Sequence, residues 1–311
     1  YFGHEAAVSH VHWGTETMSD HFLTSSLDGT AQLWNVSTSD PVLSFGIAKK
    51  QATSIAKSPS IRSTNSTPAT NTSISASNVF QQPQFFFKDK FILTSFNKRN
   101  LQLHSYKIQQ VKGNEIKPGL NYNTSKVVKS IEFPSAIACF DAPNAFSSYT
   151  AVVVTGGGNS ALGNIVDLWQ GKVVSTFAAK AVHTVSVPNQ NSGCSRDLFL
   201  TASLQDSIKM WDLRVATKGG EGCSCGSVMQ FLGHVNRYGK AQCALSPCGR
   251  YALTGSEDKQ AYMYDVRGGG VIVKYREGIT DTVLGVDFHP SKRIIGTASS
   301  DGRVNMFHVD K

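Results

Sequence analysis

Apolar and polar residues alternate in short runs along this chain, and one pattern recurs six times. An apolar strand ends in Ser or Thr, a polar turn follows, and a second alternating strand closes on a ring side chain. The segments are FLTSSLDGTAQLWN (22–35), ILTSFNKRNLQLHS (92–105) and VVVTGGGNSALGNIVDLWQ (152–170), then FLTASLQDSIKMWD (199–212), ALTGSEDKQAYMYD (252–265) and IGTASSDGRVNMFH (295–308). Their closing anchors are Trp34, His104, Trp169, Trp211, Tyr264 and Phe307, at intervals of 70, 65, 42, 53 and 43 residues. The two shortest intervals set the period and the others carry insertions. Strand-built repeats of about 40–45 residues predict four-stranded propeller blades.

Blade five shows the expected strand order. Strand a is QCALS (242–246), the turn is Pro247-Cys248-Gly249, b is RYALTGS (250–256) and c is QAYMYDV (260–266). Period-two alternation puts Ala261, Met263 and Asp265 on one face and Tyr262, Tyr264 and Val266 on the other. The last repeat runs through VLGVDF (283–288), b and c and stops short of a fourth strand, while Tyr1-Phe2 lie where such a strand would finish. The N-terminal residues are therefore expected to complete the last blade and remove an open sheet edge. The expectation is one all-β, six-bladed propeller with four-stranded antiparallel blades at about 3–45, 84–108, 127–177, 178–232, 233–276 and 277–311.

Two repeats agree in finer detail. Thr24, Asp28 and Trp34 lie 20, 24 and 30 residues after His4, and Thr254, Asp258 and Tyr264 repeat those offsets from His234. A buried imidazole needs partners on its ring nitrogens, and a turn Asp can supply one. The sixth repeat keeps Thr297 and Asp301 ahead of Phe307 but has Ile279 where His is expected; Asp206 falls one position late, and Gly163 replaces the turn Asp of the third. These residues resemble the WD-repeat family over nearly the whole chain. The resemblance implies one network of His, strand hydroxyl, turn Asp and indole per blade, with Tyr264 reaching a different partner and the poorer blades held by packing. WDLR (211–214), the run 231–267, SSDGRVNMF (299–307) and QFFFKDKFILTS (84–95) resemble the C-terminal part of one member of that family. That likeness implies a second propeller upstream of Tyr1, in keeping with a chain that lacks an initiating Met, and it supplies no catalytic motif.

The net charge of +8 over 311 residues changes this picture only locally. Residues 1–48 hold five acids and no Lys or Arg, whereas 49–129 hold 13 basic residues against Asp89 and Glu115. Within that sector, residues 51–78 contain 13 Ser/Thr with no aromatic or acidic residue, so 49–80 reads as a disordered insertion between blades one and two. Ser58-Pro59 and Thr67-Pro68 are candidate phosphorylation sites, each adding about −1.5 to −2 charges. No apolar run approaches the ~20 residues of a membrane helix. With no secretory signal, Cys139, Cys194, Cys223, Cys225, Cys243 and Cys248 read as reduced thiols in a cytoplasmic or nuclear protein.

Candidate chemistry is thin. Cys223-Ser-Cys225 with Cys194 and His234 departs from the C-x₂₋₄-C spacing of structural zinc. Gly156-Gly157-Gly158 precedes a strand, which makes it a b–c turn, since a phosphate loop runs into a helix; Gly268-Gly269-Gly270 reads as a c–d hairpin. His10 and His12 alternate beside Trp13 and read as packing residues. With no triad order, HExxH or nucleophile elbow, the expectation is no catalysis, cofactor or metal. Two functional classes stand. The first is a monomeric interaction scaffold for peptide or protein partners, with Arg237 and Tyr238, in the loop after His234, as contact residues. The second is nucleic-acid binding through 49–129, with Lys88, Lys90, Lys98, Arg99, Lys126 and Lys129 on phosphates and Phe85, Phe86 and Phe87 available for stacking.

Overall fold

The computed structural model describes residues 3–15, 17–45, 81–96, 98–108, 123–145, 149–188, 198–204, 207–213, 226–289 and 292–308. Six antiparallel sheets follow one another in chain order. Sheet one is β1 (Val8–Trp13), β2 (His21–Ser26), β3 (Ala31–Asn35) and β4 (Leu43–Phe45); sheet two is β5 (Gln81–Phe86), β6 (Phe91–Phe96), β7 (Asn100–Lys107) and β8 (Thr124–Glu132). Sheet three is β9 (Ile137–Asp141), β10 (Thr150–Thr155), β11 (Leu162–Asp167) and β12 (Lys172–Ala178); sheet four is β13 (Val182–Ser186), β14 (Leu198–Ser203), β15 (Ser207–Asp212) and β16 (Met229–Phe231). Sheet five is β17 (Cys243–Leu245), β18 (Tyr251–Gly255), β19 (Ala261–Asp265) and β20 (Val271–Tyr275), and sheet six is β21 (Val283–Phe288), β22 (Ile294–Ser299) and β23 (Val304–His308). The molecule is an all-β, six-bladed propeller.

Three expectations change. The boundary placed at 127 falls inside β8, which pairs with β7 from Lys107↔Thr124 to Asn100↔Glu132 and so belongs to blade two. The anchor of blade three is Val166, not Trp169: β11 ends at Asp167, Val166 pairs with Ala151 as Trp34 pairs with Phe22, and Trp169 stands exposed in the following turn. Gly163 likewise sits within the strand opposite Val154 rather than at a b–c turn. The insertion 49–80 and Tyr1-Phe2, the expected fourth strand of blade six, lie outside the described residues.

Packing between blades follows from the period-two pattern, because each sheet has an apolar residue on both faces. Leu23, Leu33 and Phe45 of sheet one meet Phe85 and Ile92 of sheet two. Phe86 and Leu101 meet Phe140 and Val153, and Ile165 and Phe177 meet Phe199 and Trp211. Leu200 and Met210 pack on Tyr262 and Tyr264, and Leu253 and Met263 pack on Val283 and Ile295. Blade five thus divides its faces as alternation requires.

The seam between sheets six and one is built differently. Met306 stands where Met263 stands one blade earlier, yet Met306 is 69% exposed and Met263 only 2%. Opposite it, Val11 and Trp13 of β1 are exposed although the matching Cys243 and Leu245 of β17 are buried. Among the described residues no buried apolar cluster joins these two sheets.

Candidate functional site

The blade-one residues come together as a hydrogen-bonded chain. The Trp34 indole N–H donates to Thr24 Oγ1 at 2.8 Å, and Thr24 Oγ1 lies 2.6 Å from His4 Nε2. His4 Nδ1 lies 3.0 Å from Asp28 Oδ2. One proton assignment satisfies every member: indole to hydroxyl, hydroxyl to Nε2, and Nδ1–H to the carboxylate. Burial pushes the Asp28 carboxyl up, but donors from Thr30, the Glu5 N–H and His4 outweigh it and hold the group below its usual range.

The other blades vary the anchor while keeping its job. Trp211 Nε1 donates to Thr201 Oγ1 at 2.9 Å, and His104 Nε2 lies 3.0 Å from Thr94 Oγ1. Burial lowers His104 to about 4, so its ring is neutral at pH 7. Blade three replaces the polar pair by Val153 and Val166, both fully buried. In blade five His234 Nδ1 lies 3.0 Å from the Tyr264 hydroxyl. Thr254 donates instead to the Gln242 and Gly255 carbonyls, and Asp258 accepts from Tyr262. Burial, with Asp258 beside it, lifts Tyr262 to about 12. In blade six Thr280, next to Ile279, donates to Asp301, which also accepts from Ser299 and the Arg303 N–H. The Ser299 and Thr280 hydroxyls hold Asp301 down at about 2. Thr297 Oγ1 is buried without a hydrogen-bond partner among the described residues, because Phe307 has no donor to give it.

Two carboxylates that spacing could not reveal tie elements together. Glu257 Oε1 accepts three successive backbone N–H groups, from Arg237 at 2.7 Å, Tyr238 at 2.5 Å and Gly239 at 2.6 Å. That clamp fixes the loop ahead of β17 while the Tyr238 side chain is 89% exposed and Arg237 is exposed beside it. Asp89 is buried at the junction of blades one, two and three. It accepts from the Thr15 N–H at 3.0 Å, Thr15 Oγ1 at 2.8 Å, Thr17 Oγ1 at 3.0 Å and Asn144 Nδ2 at 2.6 Å.

The inner strands carry titratable groups whose values follow burial. Asp141 rises to about 7, although the Val187 and Ala142 N–H groups, 2.7 and 2.8 Å away, favour its charged form. Burial raises Asp287 in the same direction and lifts the Cys243 thiol to about 12. His12 is lowered to about 4 by burial, and its Nδ1 accepts the Phe85 N–H at 3.4 Å. Cys139 and Cys243 are buried free thiols and Cys248 is an exposed one, while Cys194, Cys223 and Cys225 lie outside the described residues. Among the described residues no three His, Cys, Asp or Glu side chains cluster as metal ligands.

The basic sector is dispersed. Phe85 and Phe86 are core residues, whereas Phe87 packs on Tyr149 at the surface with Lys88 and Lys90 in the same turn. Lys98 and Arg99 lie between β6 and β7 at the opposite end of blade two, and Lys126 and Lys129 lie on β8. Ser58 and Thr67 lie outside the described residues. No helix among the described residues is long and apolar enough to cross a membrane, which says nothing of strands. Against known families, the model described as WD domain, G-beta repeat matches residues 1–35, 225–265 and 271–308.

Proposed function

We propose that this six-bladed ring, whose fold and matched segments support the WD-repeat β-propeller family, is a non-catalytic scaffold that presents rigid loops to protein or peptide partners. The observation that carries the reading is the Glu257 clamp. Three amides on one carboxylate oxygen remove most of the loop's freedom, so Tyr238 and Arg237 are displayed without the ordering cost a mobile loop would meet on binding. Tyr and Arg are also the residue types that dominate interface energetics. The downstream run 231–267 resembles the C-terminal repeats of WD-repeat-containing protein 27, and we read the chain as a counterpart of that region, acting in the cytoplasm. Ser58 and Thr67 would let phosphate lower the positive charge of the tract that joins blades one and two.

The test is affinity purification of the tagged protein from its own cells, wild type against Arg237→Ala/Tyr238→Ala. At least a tenfold loss of specifically co-purifying partners is expected, with the melting temperature unchanged. An unchanged partner set would remove these two residues from the interface. Intact-mass analysis of the same material showing no phosphate would end the regulatory role of Ser58 and Thr67.

A further inference from the structure

A row of aromatic rings crosses the boundary between blades two and three on the edge formed by their a–b and c–d turns. Phe87 follows β5, Phe91 opens β6, Tyr149 precedes β10, and Trp169 sits between β11 and β12. Phe87 stacks on Tyr149 with centroids 5.3 Å apart and planes at 22°, and Tyr149 meets Trp169 at 5.5 Å. Phe91 leans on Phe87 at 6.2 Å. The row ends in solvent, with Trp169 75% exposed.

The turn that holds Trp169 is braced as firmly as the Tyr238 loop. Asp167 Oδ1 accepts the N–H groups of Trp169 at 2.8 Å and Gln170 at 3.0 Å, and the Gly171 N–H bonds the Asp167 carbonyl at 2.7 Å. Lys129 reaches across from β8 to donate to the Trp169 carbonyl. Gly171 permits that reach: its φ is +73°, and a Cβ there would lie 2.5 Å from Lys129 Cε. The core of blade three uses Val166 and Leu168, so the indole, which meets Tyr149, stands outside that core. A large ring held out rigidly is the kind of side chain that anchors interfaces.

Charge narrows what could cover it. Lys90 Nζ lies 6.0 Å over the Phe87 ring, Lys88 shares that turn, and Lys172 opens β12 three residues after Trp169. Among the described residues the acids of these turns are Asp89, buried among Thr15, Thr17 and Asn144, and Asp167, which caps its own turn. Among the described residues lysines outnumber acids around the exposed ring. Stacked nucleobases fit poorly, because Phe87 and Tyr149 already cover each other's faces and leave one open ring for a run of bases.

We propose that this row is a docking site for an acidic peptide segment of a partner protein. One large apolar side chain seats against Trp169 and Tyr149, and flanking carboxylates face Lys90, Lys129 and Lys172. The proposal rests on the scaffold reading above and assigns it a second face. The test is selection of random 12-residue peptides displayed on phage against the whole chain, followed by fluorescence polarisation of the recovered peptides. Sequences rich in Asp and Glu around a large apolar residue are expected. Their affinity should fall at least tenfold in Trp169→Ala and at least tenfold in Lys90→Glu/Lys172→Glu, and should weaken as salt rises. A melting temperature within about 2 °C of wild type for both variants shows that the fold is kept. Recovered peptides without acidic enrichment, or affinities within twofold of wild type in both variants, would overturn the site. So would a labelled 20-nucleotide oligo(U) that binds with the same variant sensitivity while acidic peptides do not. Peptides sensitive only to Arg237→Ala/Tyr238→Ala would leave the scaffold standing and remove this site. A selection that recovers no binding peptide at all would count against both.

Discussion

Replacing Asp89 by Asn tests how three blades are locked together. The carboxylate is buried and takes four donors: two from Thr15, one from Thr17 and one from Asn144. Hydrogen bonds to a charged acceptor are worth about 1.5–3 kcal/mol each and neutral ones about 0.5–1.5, so loss of charge alone weakens all four. The amide also brings a mismatch. Oδ1 faces the Asn144 amide and Oδ2 faces three donors on blade one, so either amide orientation sets an N–H against a donor. Backbone strain does not confound the comparison, because φ at position 89 is +59° and Asn accepts that region as readily as Asp. These effects overlap and do not add. We expect a loss of about 3 kcal/mol, the size seen when one member of a buried polar network is broken. At about 2–4 °C per kcal/mol the melting temperature falls by about 6–12 °C. Urea unfolding followed by far-UV circular dichroism reads the first number and calorimetry the second. Thr17→Val in the Asp89→Asn background should cost less than in wild type, because the two share one contact. A loss under about 0.5 kcal/mol, with Asp40→Asn on the exposed loop as control, would refute the lock.

Three further outcomes follow from the same geometry. Thr24→Val strands the Trp34 indole N–H and His4 Nε2 and should cost about 2–3 kcal/mol in urea unfolding, whereas Thr297→Val, which deletes a buried hydroxyl lacking a partner among the described residues, should be neutral or stabilising by up to about 1 kcal/mol. Asp141 binds its proton more tightly folded than unfolded, so its contribution to stability is complete below about pH 4 and is lost as pH rises to about 7. At about 1.36 kcal/mol per unit that loss is at most about 4 kcal/mol, and Asp141→Asn should flatten the fall between pH 4 and 7; an unchanged slope would reassign it to another group. Cysteine placed at Met306 should react with maleimide at least about a hundredfold faster than cysteine at Met263, and equal rates would mean the last seam is packed like the others.

Much of the fold was legible because sheet alternation and turn chemistry are local. The strands of blade five and VLGVDF at 283–288 could be bounded to within a residue or so, and the 20, 24 and 30 offsets marked a real hydrogen-bonded set in blade one. In blade five the Tyr264 phenol lies against His234 and Asp258 accepts from Tyr262, partners that the offsets alone did not specify. Trp169 drew attention as an anchor because DLW mimics the pattern two residues beyond the true strand end, while the anchor itself is a featureless Val166. Asp89 bonds Thr15 across 74 residues and Asn144 across 55, separations set by how blades stack and carrying no periodic signal. The Glu257 clamp was equally hidden, because its donors are backbone amides and any sequence supplies them.

The seam between sheets six and one, which carries no buried apolar cluster among the described residues, has a mechanical meaning. Five seams carry buried clusters and behave as welds, so the softest deformation of the molecule concentrates at the sixth, as a gap does in a split washer. On this packing, loops on blades two to five should hold their mutual distances better than blade six holds its distance from blade one. A ligand seated on the Tyr238 loop or the Trp169 turn meets a rigid body. One that spans Met306 and Trp13 would instead bridge the compliant seam and stiffen it.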